Sequence, residues 1–192
     1  MKSYLYFIIL ILFPLTFSAY SSVKTDDMNF KKIQSGEVIF ADVEEQSVSG
    51  VEAVFMLHTS PVKLWNILTD YKNFKDHFEN IKDIKVIHEN EKGAILEIWV
   101  DSVLKTFHYI VSRDYVDPLH KLTWERKSGD FQTNRGSWEI IKTNDTNTCI
   151  VKYRSFVEVE GIIGKTFKGM TKPESIKRIN KMVIKLKNIL AA

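Results

Sequence analysis

Hydrophobic and polar positions alternate with a period of two through the middle of the chain. Runs at 82–89, 94–102, 105–116, 119–127, 131–142 and 147–158 each read as a half-buried strand. Turn signals separate them: Glu91-Lys-Gly93, Asp117-Pro118, Ser128-Gly-Asp130 and Asn144-Asp-Thr-Asn147. Parallel neighbours need long crossovers, so short turns predict an antiparallel meander. Run 147–158 is the clearest, with Cys149, Val151, Tyr153, Ser155 and Val157 on one face and Lys152, Arg154 and Glu158 on the other. Run 119–127 places Leu122, Trp124 and Arg126 together, and run 131–142 places Gln132, Asn134, Gly136, Trp138 and Ile140 together. In 105–116 two faces compete: Phe107, Tyr109, Val111 and Arg113 against His108, Ile110 and Ser112.

Other patterns flank the meander. Glu37–Phe40 and Val51–His58 alternate, with a turn or bulge over 46–50, and predict an edge hairpin or one long bent strand. Ser60-Pro61 opens a helix with a serine cap and a proline at the first helical position, ending near Tyr71; a second short helix covers 73–78. After a glycine-interrupted segment (GIIGKTFKG, 161–169), Thr171-Lys-Pro-Glu174 has the form of a capping box. Ile176, Ile179, Val183, Leu186 and Leu190 then follow at helical spacing. The order predicts an α+β fold: a curved antiparallel sheet of six to seven strands around a long C-terminal helix, with two short helices after the first strand. A sheet so curved leaves room for a cavity between itself and the helix.

The N-terminus is of another kind. Lys2, the apolar run from Tyr4 to Phe17 and the small residues Ser18, Ala19 and Ser21 describe a secretory signal peptide over 1–21, cleaved after Ser21 or, alternatively, Ser18. The run is shorter than the roughly 20 residues that span a bilayer; an uncleaved anchor is the competing reading. A polar leader over 22–35 and a domain over 36–192 follow, in a secreted or periplasmic chain. Residues 161–192 hold eight basic residues and one acid, so this tail carries +7 and the rest of the chain −4. That helix reads first as a solvated face and second as a contact for anionic membrane. The acidic remainder and the export signal argue against nucleic-acid binding.

Little in the chain suggests catalysis. The five histidines have no metal-ligand spacing, and the single cysteine, Cys149, sits in a strand pattern as a small hydrophobe. No serine nucleophile motif or phosphate loop is present, and no cofactor is implied. What remains is the inward sheet face, where Tyr109, Arg113, Trp124, Arg126, Asn134, Trp138 and Tyr153 bring polar atoms among apolar groups. Buried polar groups need partners, so either they satisfy one another or they meet water or a ligand.

Two segments carry a resemblance. Trp65-Asn-Ile-Leu-Thr-Asp-Tyr71, followed by Phe74 and Phe78, and Gly129-Asp-Phe131 with Gly136-Ser-Trp138 resemble the V-W-x-x-L-T-D-Y-x-x-F and G-D-F…G-x-W segments of the START-like, helix-grip superfamily, in its polyketide cyclase/dehydrase and coenzyme Q-binding-like families. The resemblance covers about 37–190. It implies a deep hydrophobic cavity and ligands such as lipids, quinones, sterols or aromatic polyketides. The expected function is an exported carrier of a hydrophobic small molecule or lipid, with Trp124, Trp138, Tyr109 and Tyr153 against the apolar body and Arg113, Arg126 or Asn134 on a polar head. The alternative is a cyclase or dehydratase using Arg113, Tyr109 or Asp130.

Overall fold

The computed structural model describes residues 27–78, 81–102, 105–159 and 161–191; the signal-peptide segment lies outside them. The elements are α1 (Asp27–Gln34), β1 (Ile39–Glu45), β2 (Val48–Leu57), α2 (Pro61–Thr69), a 3-10 turn (Tyr71–Asn73), α3 (Phe74–His77), β3 (Ile81–Asn90), β4 (Gly93–Asp101), β5 (Thr106–Asp117), β6 (Lys121–Gly129), β7 (Phe131–Lys142), β8 (Cys149–Val159) and α4 (Gly161–Ala191). All eight strands form one antiparallel sheet, in the order β1-β2-β8-β7-β6-β5-β4-β3. The first strand, β1, thus pairs with β2 at one edge, and β3 forms the other.

The strand count exceeds the expected six to seven because 37–58 is a complete hairpin. Its turn is Gln46-Ser47, both at positive φ (51° and 62°), as a two-residue hairpin turn requires. Gly50, which had suggested a bend, lies within β2 for a different reason. A Cβ there would stand 2.4 Å from the Phe156 ring and 2.7 Å from the Ser155 carbonyl oxygen. The Ser60 cap is formed, its hydroxyl accepting from the Lys63 amide at 3.2 Å.

Two expectations are corrected. The polar leader is not separate from the domain over its whole length: 27–34 form α1, whose Ile33 is 1% exposed and packs with Val54, Met56 and Ile150 on the outer face of the sheet. The last helix does not begin at the Thr171 box. It starts at Gly161, so the glycine-interrupted segment ahead of the box is helix backbone, and Thr171 falls in its interior.

The helical stripe finds its place on the concave face. Ile179, Val183, Leu186 and Leu190 pack with Phe55, Leu57, Leu122, Ile140, Cys149 and Val151 and with Leu64 and Leu68 of α2. The Lys63 ammonium ties the two helices by donating to the Leu190 carbonyl at 3.1 Å. This solid core occupies only one end of the concave face; Ser175, Arg178 and Met182, nearer the start of α4, border open space instead.

Candidate functional site

That open space is a cavity of about 1110 Å³ between the sheet, α3 and α4. Small-molecule pockets commonly measure ~300–1,000 Å³, so it is large. Six of the seven expected residues line it: Tyr109, Arg113, Trp124, Asn134, Trp138 and Tyr153. The competing faces of β5 resolve in favour of Phe107, Tyr109, Val111 and Arg113, which all point inward.

The wall is built by register. One row across the sheet reads Ala94, Arg113, Trp124, Gly136, Ser155, Val51. Gly136 leaves a gap beside Trp124, and the indole lies over it. A Cβ on Gly136 would come within 2.3 Å of the Trp124 ring. Held there, Trp124 stacks on Tyr153 (centroids 5.6 Å apart) and its Nε1 donates to the Asn134 side-chain oxygen at 3.1 Å. Tyr153 also meets Trp138 edge-on at 4.7 Å. Burial pushes the Tyr109 phenol up to about 12, with Asn134 pulling the other way, and burial raises Tyr153 too.

Arg113 is the unusual member. It is 7% exposed, and its Nε has no hydrogen-bond partner. Its guanidinium carbon lies 5.3 Å from the Tyr71 ring and 5.1 Å from the Phe74 ring, within cation–π range. Burial pulls its pKa down. Tyr71 and Phe74 belong to the motif carrying the family resemblance, yet nothing in the sequence gave them a role at the site; only the fold of α2–α3 over the sheet brings them to Arg113. The Tyr71 hydroxyl shares a 2.9 Å hydrogen bond with that of Tyr115, whose ring packs edge-on against Trp65 at 5.3 Å.

Arg126 is placed elsewhere. β6 and β7 pair only from Lys121 opposite Glu139 to Glu125 opposite Arg135. Beyond that the strands part, β6 staying with β5 and β7 with β8, and a slot of about 230 Å³ opens between them. Arg126 lines this slot with Gln132 and Arg135, and its Nη2 donates to the Gly129 carbonyl at 3.1 Å. Register shifts flank the slot: Lys127 is an extra residue opposite Ile110–Val111, and Gln132 is extra opposite Glu158–Val159. The bulge at Lys127 comes after Arg126, so alternation through Trp124 and Arg126 is unbroken; it is the parting of β6 from β7 that puts Arg126 against the slot, while Gln132 is itself a bulge residue.

Asp130 also lies off the cavity. It follows Gly129 (φ 109°) in the β6–β7 turn, where the His108 amide donates to its carboxylate at 2.8 Å and Lys105 pairs with it at 3.1 Å. These contacts hold the carboxyl below its usual range. Cys149 is fully buried, and burial pushes its thiol up to about 11. Among the described residues no group of three His, Cys, Asp or Glu side chains could hold a metal ion.

Comparison with known proteins agrees with this geometry. Residues 57–175 match the family described as polyketide cyclase/dehydrase and lipid transport. No curated protein matches in sequence. Solved structures share the fold at low identity. A START superfamily protein from Mycobacterium smegmatis is 14% identical, with a TM-score of 0.62 over 74% of this chain and 97% of its own. The Zhui aromatase/cyclase from a Streptomyces species is 12% identical, with a TM-score of 0.57 over 80% and 92%. A truncated norcoclaurine synthase from Thalictrum flavum is 12% identical, with a TM-score of 0.53 over 78% and 94%. The motifs, the sheet curled around α4 and the family match over most of the domain converge: this chain belongs to the polyketide cyclase/dehydrase and lipid transport family.

Proposed function

We propose that this chain is an exported binding or carrier protein for a hydrophobic small molecule or lipid. The observation that carries the reading is the large cavity itself, walled along the sheet by aromatic and aliphatic side chains, with exposed polar residues such as Glu44, Gln46, Ser47 and Arg178 gathered at its mouth. The family description includes lipid transport, and the N-terminal apolar run supports export. A carrier is favoured over a cyclase or dehydratase by the titratable groups. A general acid or base works best with a pKa near the working pH. Tyr109 is pushed up to about 12, a guanidinium does not release its proton, and Asp130 lies outside the cavity.

The test is uptake of an apolar dye. Nile red should bind the mature chain saturably, one per molecule, and organic extraction of the purified protein should release an apolar compound. Val111→Trp, which projects a large ring into the cavity from β5, should abolish uptake while leaving the circular dichroism spectrum unchanged. A protein that takes up no dye and carries no extractable compound is not a carrier.

Peripheral contact with an anionic membrane is part of the same proposal. Lys177 and Lys181 are exposed on α4, and Ile184, one turn on from Lys181, is 59% exposed. Basic and apolar groups together favour an anionic lipid surface. Vesicles containing phosphatidylserine should bind the chain and release it on charge reversal at Lys177, Lys181 and Lys185. Unchanged vesicle affinity in that variant removes the membrane contact and leaves the cavity reading intact.

A further inference from the structure

The cavity has an open end and a closed end, and β5 runs between them. Exposed lining residues cluster at the open end: Glu44, Gln46 and Ser47 on the β1–β2 hairpin and Arg178 on α4, with Ser102 beside the start of β5. The closed end is stoppered by Tyr115, pinned by Trp65 and by the Tyr71 hydroxyl. Along the inner face of β5 come Phe107, Tyr109, Val111 and then Arg113. Six residues of strand separate Phe107 from Arg113, about 20 Å of rise. The cation therefore stands deep in the cavity, near its floor.

The Glu89 carboxylate lies near enough to act on the Tyr71 and Tyr115 phenols, but it does not pair with the guanidinium. Among the described residues Arg113 forms no ion pair and no hydrogen bond, and the groups facing it are the rings of Tyr71 and Phe74 and the phenols of Tyr109, Tyr115 and Tyr153. Elsewhere the chain pairs its inaccessible charges: the fully buried Glu52 carboxylate meets the Arg154 Nε at 2.6 Å on the outer face. A buried charge is costly unless paired. Aromatic faces supply only part of the compensation, and they cannot fill the hydrogen-bonding edge of a guanidinium. A planar anion on that edge would, through two parallel bonds. One cation at the floor of a cavity also lined by Asp42, Glu44 and Glu174 matches one negative charge, as on a carboxylate, better than the two of a phosphate monoester.

We infer that the ligand is a carboxylate-headed amphiphile that binds head-first, its carboxylate on Arg113 at the cavity floor and its apolar chain running past Val111 and Phe107 toward the mouth. This rests on the carrier reading and goes beyond it by fixing head chemistry and orientation.

The experiment uses undecanoic acid labelled with dansyl at the chain end, together with its methyl ester. The acid should bind the wild-type chain at least about tenfold more tightly than the ester, a difference of roughly 1.4 kcal/mol. Arg113→Gln should bring the acid down to the affinity of the ester, and Arg113→Lys should keep part of the preference. With the head at the floor, the bound dansyl group lies at the mouth and is quenched by aqueous iodide. Equal binding of acid and ester overturns the anionic head but leaves the carrier reading standing. An acid preference that survives in folded Arg113→Gln overturns the role of Arg113, and a dansyl group shielded from iodide overturns the orientation. If neither probe binds while Nile red does, this inference alone fails; if Nile red also fails, the carrier reading falls with it.

Discussion

Gly136→Ala should destabilise the protein by about 3 kcal/mol or more, read as a fall in the urea midpoint without a change in slope. The sign is the reverse of the usual one. Glycine within a strand is ordinarily worse than alanine by roughly 0.5–1 kcal/mol, because it has more freedom to lose on folding. At Gly136 space overrides that term. The new methyl would lie 2.1 Å from the Arg154 carbonyl oxygen, on the backbone of the neighbouring strand, and 2.3 Å from the Trp124 ring. Relief requires both opening the β7–β8 ladder and swinging the indole away, which breaks its stack on Tyr153 and its hydrogen bond to Asn134. Removing the indole as well, in Gly136→Ala/Trp124→Ala, should recover only the part of the loss beyond that of Trp124→Ala alone that belongs to the ring, since the Arg154 carbonyl remains. A neutral or stabilised Gly136→Ala chain would show that the wall does not depend on this gap.

Arg113→Met should act in the opposite direction, raising the stability of the ligand-free chain by about 1–2 kcal/mol. Replacing buried ionic groups with apolar ones of similar volume is often stabilising by roughly 1–4 kcal/mol. No partner charge is left behind here, which places the gain toward the upper end of that range; the opposing loss is two cation–π contacts, worth about 1 kcal/mol each. The methionine would keep the packing against Tyr71 and Phe74 without a charge to solvate. A gain of that size corresponds to a rise in melting temperature of a few degrees for a domain of this length, and it should come with loss of the preference for acid over ester. Such an exchange of stability against recognition is what a binding group, as opposed to a structural one, predicts. A lower melting temperature would mark Arg113 as part of what holds α2 and α3 to the sheet.

The meander was legible in the sequence because each central strand has one wet and one dry face. Cys149, Val151 and Tyr153 alternate with Lys152 and Arg154, and the pleat converts that alternation directly into inside and outside. The hairpin turn was harder. Gly50 suggested the bend, but its lack of a side chain serves the approach of Phe156, while Gln46 and Ser47 take the positive φ angles. Helix α1 has little periodicity to read: among its described side chains Ile33 is the one buried against the sheet. Three glycines at 161, 164 and 169 weaken helix propensity and made the start of α4 look like loop. At the site, alternation found six of the lining residues; Arg126 is missing from the cavity because β6 and β7 part beside it and it lines the slot between them. No periodic signal could supply Tyr71 and Phe74, since their meeting with Arg113 depends on how a helical segment crosses a distant strand.

The parting of β6 from β7 has a mechanical consequence. The wall around the cavity is two panels, β3 to β6 on one side and β7, β8, β2 and β1 on the other, joined across five residue pairs at one end and by the β6–β7 turn at the other, with the slot between. Such a joint is weaker than an unbroken ladder, and the Trp124–Asn134 hydrogen bond ties its two sides beside the paired end. The girth of guest that the cavity admits is then governed by the stiffness of this joint as well as by the side chains that line the space.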